Sequence, residues 1–394
     1  MSEVPLSPLA RRRNLIALTA AMTATSLIYG LSVPLLSLIL EGRGFSGTLI
    51  GSQTAVQSVA ILLVSPALPR HMGRTGPAVL MLGAIALSIV AFLLLAVFSS
   101  VPAWFGLRFV IGAAASVLWV CGEAWLNQVA DDSTRGRVVA LYSMAVAAGF
   151  ALGPVVLSLT GSQGFTPFAV SGIVMLLSAL PLLAVVREAP RLTGERSNRL
   201  TRYFRLAPVA MMLCALFAAA DGMLLSLLAL YGKEVGLSET HALYLITMLG
   251  VGGIIGQVPI GWLADHVDLM LLAAVCILLV TGSSLAMPLV LSDSGSNLLF
   301  MLFFGACLNG IYTVALVMIG ARFKGADLAA ASALFGVMWG AGSTLGPQIG
   351  GLAYDLLPRH GLPLALAASC AAVLPFPLAS WYRRRSRAAL DSRT

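Results

Sequence analysis

Charge is scarce in this chain. Of its 394 residues only 10% are Asp, Glu, Lys or Arg, against roughly 25% in ordinary soluble domains. A water-soluble fold needs a polar skin that this composition does not supply. Acidic residues are the scarcer kind, 16 against 24 basic ones. The same composition excludes a disordered, coiled-coil or collagen-like chain. Cysteine is also sparse. Cys121, Cys214, Cys276, Cys307 and Cys370 all fall in apolar stretches and none forms a C-x-x-C pair. They read as small buried hydrophobes rather than a disulfide or metal set. His71, His241, His266 and His360 map to loops or span ends without metal-ligand spacing. No Walker sequence follows a strand, which argues against an ATP-driven pump. The Ser and His residues are scattered and carry no nucleophile signature, so no enzyme is indicated.

What the chain has is hydrophobicity: 59% of it is apolar, with a mean hydropathy of +0.94. A membrane-crossing helix takes about 20 apolar residues. Runs bounded by charge, Gly or Pro predict twelve spans, near 15–40, 46–68, 76–98, 102–130, 136–160, 165–186, 206–231, 239–264, 269–291, 296–321, 327–354 and 360–382. Short loops are left over, with no room for a soluble catalytic head. The most polar interruption, 187–205, separates a first six-helix bundle (1–186) from a second (206–394) with a short basic tail. Arg11, Arg12 and Arg13 precede the first apolar run like the basic region of a signal peptide. That run is too long for a signal core, so a retained first helix is expected.

The net charge is +8. In a soluble protein it would suggest nucleic acid; here it reads as orientation. Of the 24 basic residues, 20 fall on one side of the predicted spans. The other side holds Arg43, Lys233 and Arg359, and Arg108 lies inside a span. By the positive-inside rule both termini and the linker are expected in the cytoplasm.

The halves also repeat. Gly44-Phe45-Ser46 recurs as Gly236-Leu237-Ser238 and Tyr29-Gly30 as Asp221-Gly222, at an offset of 192. Gly112 recurs as Gly305, and Gly153-Pro154 as Gly346-Pro347, at 193. Six-span halves in parallel orientation describe a duplicated transporter.

Several motifs then carry a family resemblance across the whole chain. Gly261-Trp262-Leu263-Ala264-Asp265-His266, between spans 8 and 9, resembles the loop signature G-x-L-a-D-r-x-G-r of the major facilitator superfamily. It departs at its end, where Val267-Asp268 replaces the glycine region. The N-terminal copy keeps Gly73-Arg74, but Arg70 stands where the acid belongs and Pro66 where the first glycine belongs. Arg108-Phe109-Val110-Ile111-Gly112 is similar to the R-x-x-x-G motif of proton-coupled members. Gly149-x-x-x-Gly153-Pro154 in span 5, and Gly342 to Pro347 in span 11, resemble the glycine-proline motif of antiporters. The stretch from Trp119 to Tyr142 is similar to a bacterial branch of the superfamily. The resemblance implies an all-α membrane protein whose twelve helices form two pseudo-symmetric bundles. It also implies a monomer in a bacterial cytoplasmic membrane, with spans 1, 4, 7 and 10 lining a cavity.

Physical reading assigns roles to these residues. Gly149, Gly153, Gly342 and Gly346 permit close helix approach, while Pro154 and Pro347 invite a bend. Both packing and a hinge fit them; the resemblance favours the hinge, on which Gly346→Val should harm transport more than folding. The glycine run in span 8 reads as packing. Asp265 is expected to latch a cytoplasmic surface, with Arg322 as partner. In the first half, Arg70 or Arg74 is expected to meet Asp131 or Asp132, the alternative being solvated loop charges. Arg108, Glu123 and Asp221 lie inside spans, where each charge costs roughly 2.5–3.5 kcal/mol near a helix centre. Arg108, Gly112, Ser116, Trp119 and Glu123 follow one helical stripe, and Tyr29, Asp221, Asn309 and Tyr312 lie on the other cavity spans. Arg108 and Asp221 are at similar depth and are expected to pair. Glu123 is the first candidate proton carrier and Asp221 the second; alternatively Glu123 caps a helix or lies in the interface. No cofactor is expected beyond a proton gradient. The expected activity is export of a small organic solute by alternating access against proton entry. A proton-coupled or facilitated importer, and a non-transporting sensor, are the alternatives.

Overall fold

The computed structural model describes residues 7–131, 135–189, 200–292 and 295–391. Asp132, most of the linker and Arg393 lie outside them. The regular structure of the described residues is entirely helical. Twelve principal helices follow one another: α1 (Pro8–Gly42), α2 (Gly47–Val64), α3 (Pro77–Val97), α4 (Val101–Val129), α5 (Arg135–Thr160), α6 (Thr166–Val185), α7 (Pro208–Glu234), α8 (Glu239–His266), α9 (Leu269–Val290), α10 (Asn297–Arg322), α11 (Gly325–Leu356) and α12 (Gly361–Val373). Short helices Leu68–Thr75 and Leu200–Leu206 flank them, and Pro375–Asp391 extends α12 past Leu374.

Among the described residues, eleven helices meet the requirement for length and apolarity. The helix outside that set is α11, 32 residues long but rich in Gly. The outward leucines of α6, Leu176, Leu177, Leu180 and Leu183, are exposed. Such a surface is stable only against lipid. The chain is a multi-pass membrane protein.

Local chemistry explains where the helices start. Proline occupies the first turn of α3, α4, α6 and α7, where its missing N–H costs nothing. Asp268 caps α9, accepting from the Met270 and Leu271 amides at 2.8 and 3.1 Å, and Ser238 caps α8 from the His241 amide at 3.2 Å. The repeated Gly-x-Ser turns now have a reason. Gly44 and Gly236 have φ of 79° and 98°, a region open to glycine.

The chain forms two compact units: Met1–Ile39 with Val56–Arg196, and Leu40–Ala55 with Ser197–Thr394. The boundary thus differs from a plain cut at the linker, because Leu40–Ala55 packs with the second unit. Its contacts there are specific. The Asp355 carboxylate accepts from the Gly47 amide (2.6 Å), the Thr48 amide (2.8 Å) and the Thr48 hydroxyl (2.6 Å). Gly47 lies against the Gly351 backbone and Gly51 against Pro347. Lys233 pairs with Glu41.

Within each unit the same helix pairs meet through glycine. In the first, Gly149 on α5 lies against the Thr23 carbonyl of α1, Gly153 against the Leu27 carbonyl, and Gly112 on α4 against the Gln57 carbonyl of α2. In the second, Gly342 on α11 lies against the Ala215 carbonyl of α7, Gly346 against Ala219, and Gly305 on α10 against the Leu249 carbonyl of α8. The glycines correspond at an offset of 193 and their partners at 192. The sequence repeat is therefore a repeat of backbone contacts. Gly252, Gly253 and Gly256 on α8 are in contact with α10, in keeping with a packing role.

Candidate functional site

In the first unit the polar centre is Arg108 on α4. It is fully buried, and all three guanidinium nitrogens lack a hydrogen-bond partner among the described residues. Tyr29 reaches from α1 to the same turn, where its hydroxyl donates to the Ile111 carbonyl at 2.9 Å. The Gln57 side-chain oxygen, on the helix that Gly112 touches, is likewise buried and unpartnered. One turn further along, the Ser116 hydroxyl meets the Ser65 hydroxyl at 2.9 Å.

The expected stripe on α4 is thereby divided. Gly112 and Ser116 face α2 and the turn that follows it. That helix ends at Val64, beside Ser116, and the chain runs on through Leu68–Thr75, which also packs against α4. Trp119 instead stacks on Phe150 of α5, with centroids 5.9 Å apart and planes 4° from parallel. Glu123 is exposed and its carboxylate has no ion-pair or hydrogen-bond partner among the described residues. It sits inside α4, and no helix-terminal amide among the described residues donates to it.

In the second unit Asp221 on α7 is half-buried, and its carboxylate also lacks a partner among the described residues. One turn before it stands Phe217, whose ring lies 5.0 Å from Tyr312 on α10 and 5.3 Å from Trp339 on α11. Tyr312 in turn lies 5.4 Å from Trp339 and 5.7 Å from Phe335. Asn309 turns away from this group. Its amide donates to the Gly305 carbonyl at 3.3 Å and its side chain covers Gly253 of α8. Sequence reasoning missed Phe217, Phe335 and Trp339. The signal was there in the spacing of Phe217 to Asp221 and Phe335 to Trp339, each one helical turn. Arg108 and Asp221 fall in different units, and neither has an ion-pair partner among the described residues.

The expected cytoplasmic latches take another form. Asp265 and Arg322 are exposed, and Asp265 has no ion-pair partner among the described residues. Asp131 pairs with Arg11 of α1, not with Arg70 or Arg74, which are exposed. Arg13 meets Glu188 at 3.2 Å, and Trp125 donates its indole N–H to Asn14 at 3.1 Å. The start of α1, three residues of which are arginine, lies next to the end of α4 and wins the competition for the acid. In the second unit, Tyr203 donates to Asp327 at 2.7 Å. That bond holds the phenol proton and raises the Tyr203 pKa above its ordinary value.

Two transmembrane acids with no partner among the described residues, an enclosed guanidinium and paired glycine contacts are features of a protein that moves solutes. The comparisons agree. The sequence model of the Major Facilitator Superfamily matches residues 18–316 and 211–393, and the chain belongs to this family of membrane transporters. It is 25% identical over 338 residues to the uncharacterized MFS-type transporter YfkF of Bacillus subtilis, covering 82% of this chain and 84% of that protein. It is 28% identical to the uncharacterized MFS-type transporter YcaD of Escherichia fergusonii, over 62% of this chain and 64%, just under two thirds, of that one. Among solved structures, the nucleoside transporter NupG superposes with a TM-score of 0.77 at 13% identity, covering 93% of this chain and 99% of that one. A bacterial homolog of the human lysosomal transporter Spinster gives 0.73 at 16%, covering 95% and 96%. At these identities the two structures define the fold.

Proposed function

We propose that this transporter expels a small organic solute by alternating access, and that proton entry drives it. One observation carries the reading: Glu123 and Asp221 are carboxylates on membrane-crossing helices with no ion-pair or hydrogen-bond partner among the described residues. An idle charge at a helix centre costs roughly 2.5–3.5 kcal/mol. Taking up a proton removes that cost, and releasing it on the other side completes a cycle. Glu123 is the proposed carrier. Helices α5 and α11, with Gly149, Gly153, Pro154, Gly342, Gly346 and Pro347, are the proposed gating elements. Arg70, Gly73, Arg74, Asp265 and Arg322 are the proposed cytoplasmic contacts of one state. The protein works as a monomer in a bacterial cytoplasmic membrane, with both termini inside and neither ATP nor nucleic acid as partner.

A thermal-shift screen against metabolites and drugs identifies a solute, since a ligand of the native state raises Tm by mass action. In proteoliposomes the wild type then builds a gradient of that solute under an imposed pH gradient. Glu123→Gln, which cannot ionise, still exchanges solute but builds no gradient. Gradient formation at the wild-type rate moves the proton role to Asp221, and coupling in the double variant ends the proton-driven reading. An acidified exterior drives expulsion in an exporter and accumulation in an importer. Absence of exchange under any condition favours the sensor.

A further inference from the structure

We infer that the second unit carries a site for lipophilic organic cations, formed by the Asp221 carboxylate and the rings of Phe217, Tyr312, Phe335 and Trp339. The inference rests on the reading of the chain as a transporter of a small organic solute. It does not depend on direction or proton coupling.

Three observations carry it. First, the carboxylate has no partner among the described residues, although it lies in the middle of α7. Among the described residues of this unit, Lys and Arg stand at helix ends or in flanking segments: Lys233 in the last turn of α7, Arg322 closing α10, Arg359 in a loop, and the others in the helices Leu200–Leu206 and Pro375–Asp391 or in loops. None of these described residues brings a cation to Asp221, and an incoming one meets an unsatisfied negative charge.

Second, the surroundings of that charge are aromatic. Phe217 precedes Asp221 by one helical turn, a rise of about 6 Å, on the same face of α7. Phe217 and Phe335 are buried and form a wall, while Tyr312 and Trp339 are only half-buried and offer ring surface. Gly222, next to Asp221, lies against Pro347 and Ser343 of α11, and Ser343 stands one turn beyond Trp339. The acid and the rings are thus held to one another by the α7–α11 contact.

Third, the chemistry favours one class of ligand. Ring faces attract cations through their quadrupole, most strongly when water is excluded. A carboxylate beside them adds a formal charge and repels anions of the same shape. A quaternary or otherwise delocalised cation with apolar substituents satisfies both elements, since it is cheap to desolvate. An anion of equal size satisfies neither.

The test compares two ions of one shape and opposite sign, tetraphenylphosphonium and tetraphenylborate, bound to the purified full-length protein by equilibrium dialysis. Wild type should bind the cation at least fivefold more tightly than the anion. Asp221→Asn should weaken cation binding at least fivefold and leave the anion within twofold, with Tm unchanged. Asp221→Glu should retain the cation, and Trp339→Leu should weaken it at least threefold. Equal binding of the two ions by wild type, or a loss below fivefold in Asp221→Asn, overturns the site. If Asp221→Asn does not fold, Trp339→Leu decides, and cation binding within threefold of wild type overturns the site. Loss of proton-driven gradients with this binding pattern intact overturns the export reading alone.

Discussion

At the scale of single residues, the glycines on the α1–α5 and α7–α11 contacts are tightly constrained, each with a neighbouring backbone where a Cβ would stand. A Cβ on Gly346 would overlap the Ala219 backbone, which has no freedom to move aside as a side chain does. Overpacking of this kind costs about 1–3 kcal/mol or more. Gly346→Val is therefore expected to lower Tm and the yield of monodisperse protein, measured by fluorescence-detected size exclusion. The structure thus shifts the expectation for this variant from transport to folding. Gly336, on the same helix, has open space around it, so Gly336→Ala should be neutral or stabilising by up to about 1 kcal/mol. Equal yields and Tm values for Gly346→Val and wild type would show that α11 is not held by this contact. These positions were legible in the sequence, because small residues in register are a pattern of spacing. Arg11 with Asp131 was not: several cations on that side compete for each acid, and spacing along the chain does not rank them.

At the scale of elements, helix existence followed from apolar length, and helix starts from proline and Asp or Ser caps. What periodicity does not reveal is which helix is the neighbour of which. The fate of Glu123 shows this: on α4 it shares a stripe with Arg108, yet Arg108 is buried and Glu123 is exposed. The aromatic group was hidden for a similar reason, since its members lie on three helices far apart in the chain. The start of α2 gives an element-scale test. Asp355 holds two amides and a hydroxyl of its first turn, adding a negative charge where the helix dipole favours one. Asp355→Ala should cost about 0.5–2 kcal/mol, as capping losses do, and should speed amide hydrogen exchange at Gly47 and Thr48. Unchanged exchange there would mean the cap is not formed in the membrane.

At the scale of the whole molecule, the duplication is the organising fact, and offsets of 192 and 193 disclosed it before any coordinates. The placement of Leu40–Ala55 was beyond reach of that reading, because its repeat partner gives no hint that it packs with the other half. Covalent order and spatial order disagree here. The backbone passes from one unit to the other at residues 39–40 and again at 55–56, in addition to the linker. Neither half of the gene then encodes a self-sufficient body. A fragment of residues 197–394 lacks the segment that engages Asp355 and Lys233, so it should reach the membrane in lower amount and melt earlier than the intact chain. Supplying residues 1–196 as a separate polypeptide should restore it, as judged by co-purification and Tm. An isolated second half as stable as the whole would show that the borrowed segment is dispensable. For an ancestor that arose by fusing two copies of one gene, such lending makes the fusion hard to reverse: once a segment of one copy completes the other, separation leaves both incomplete.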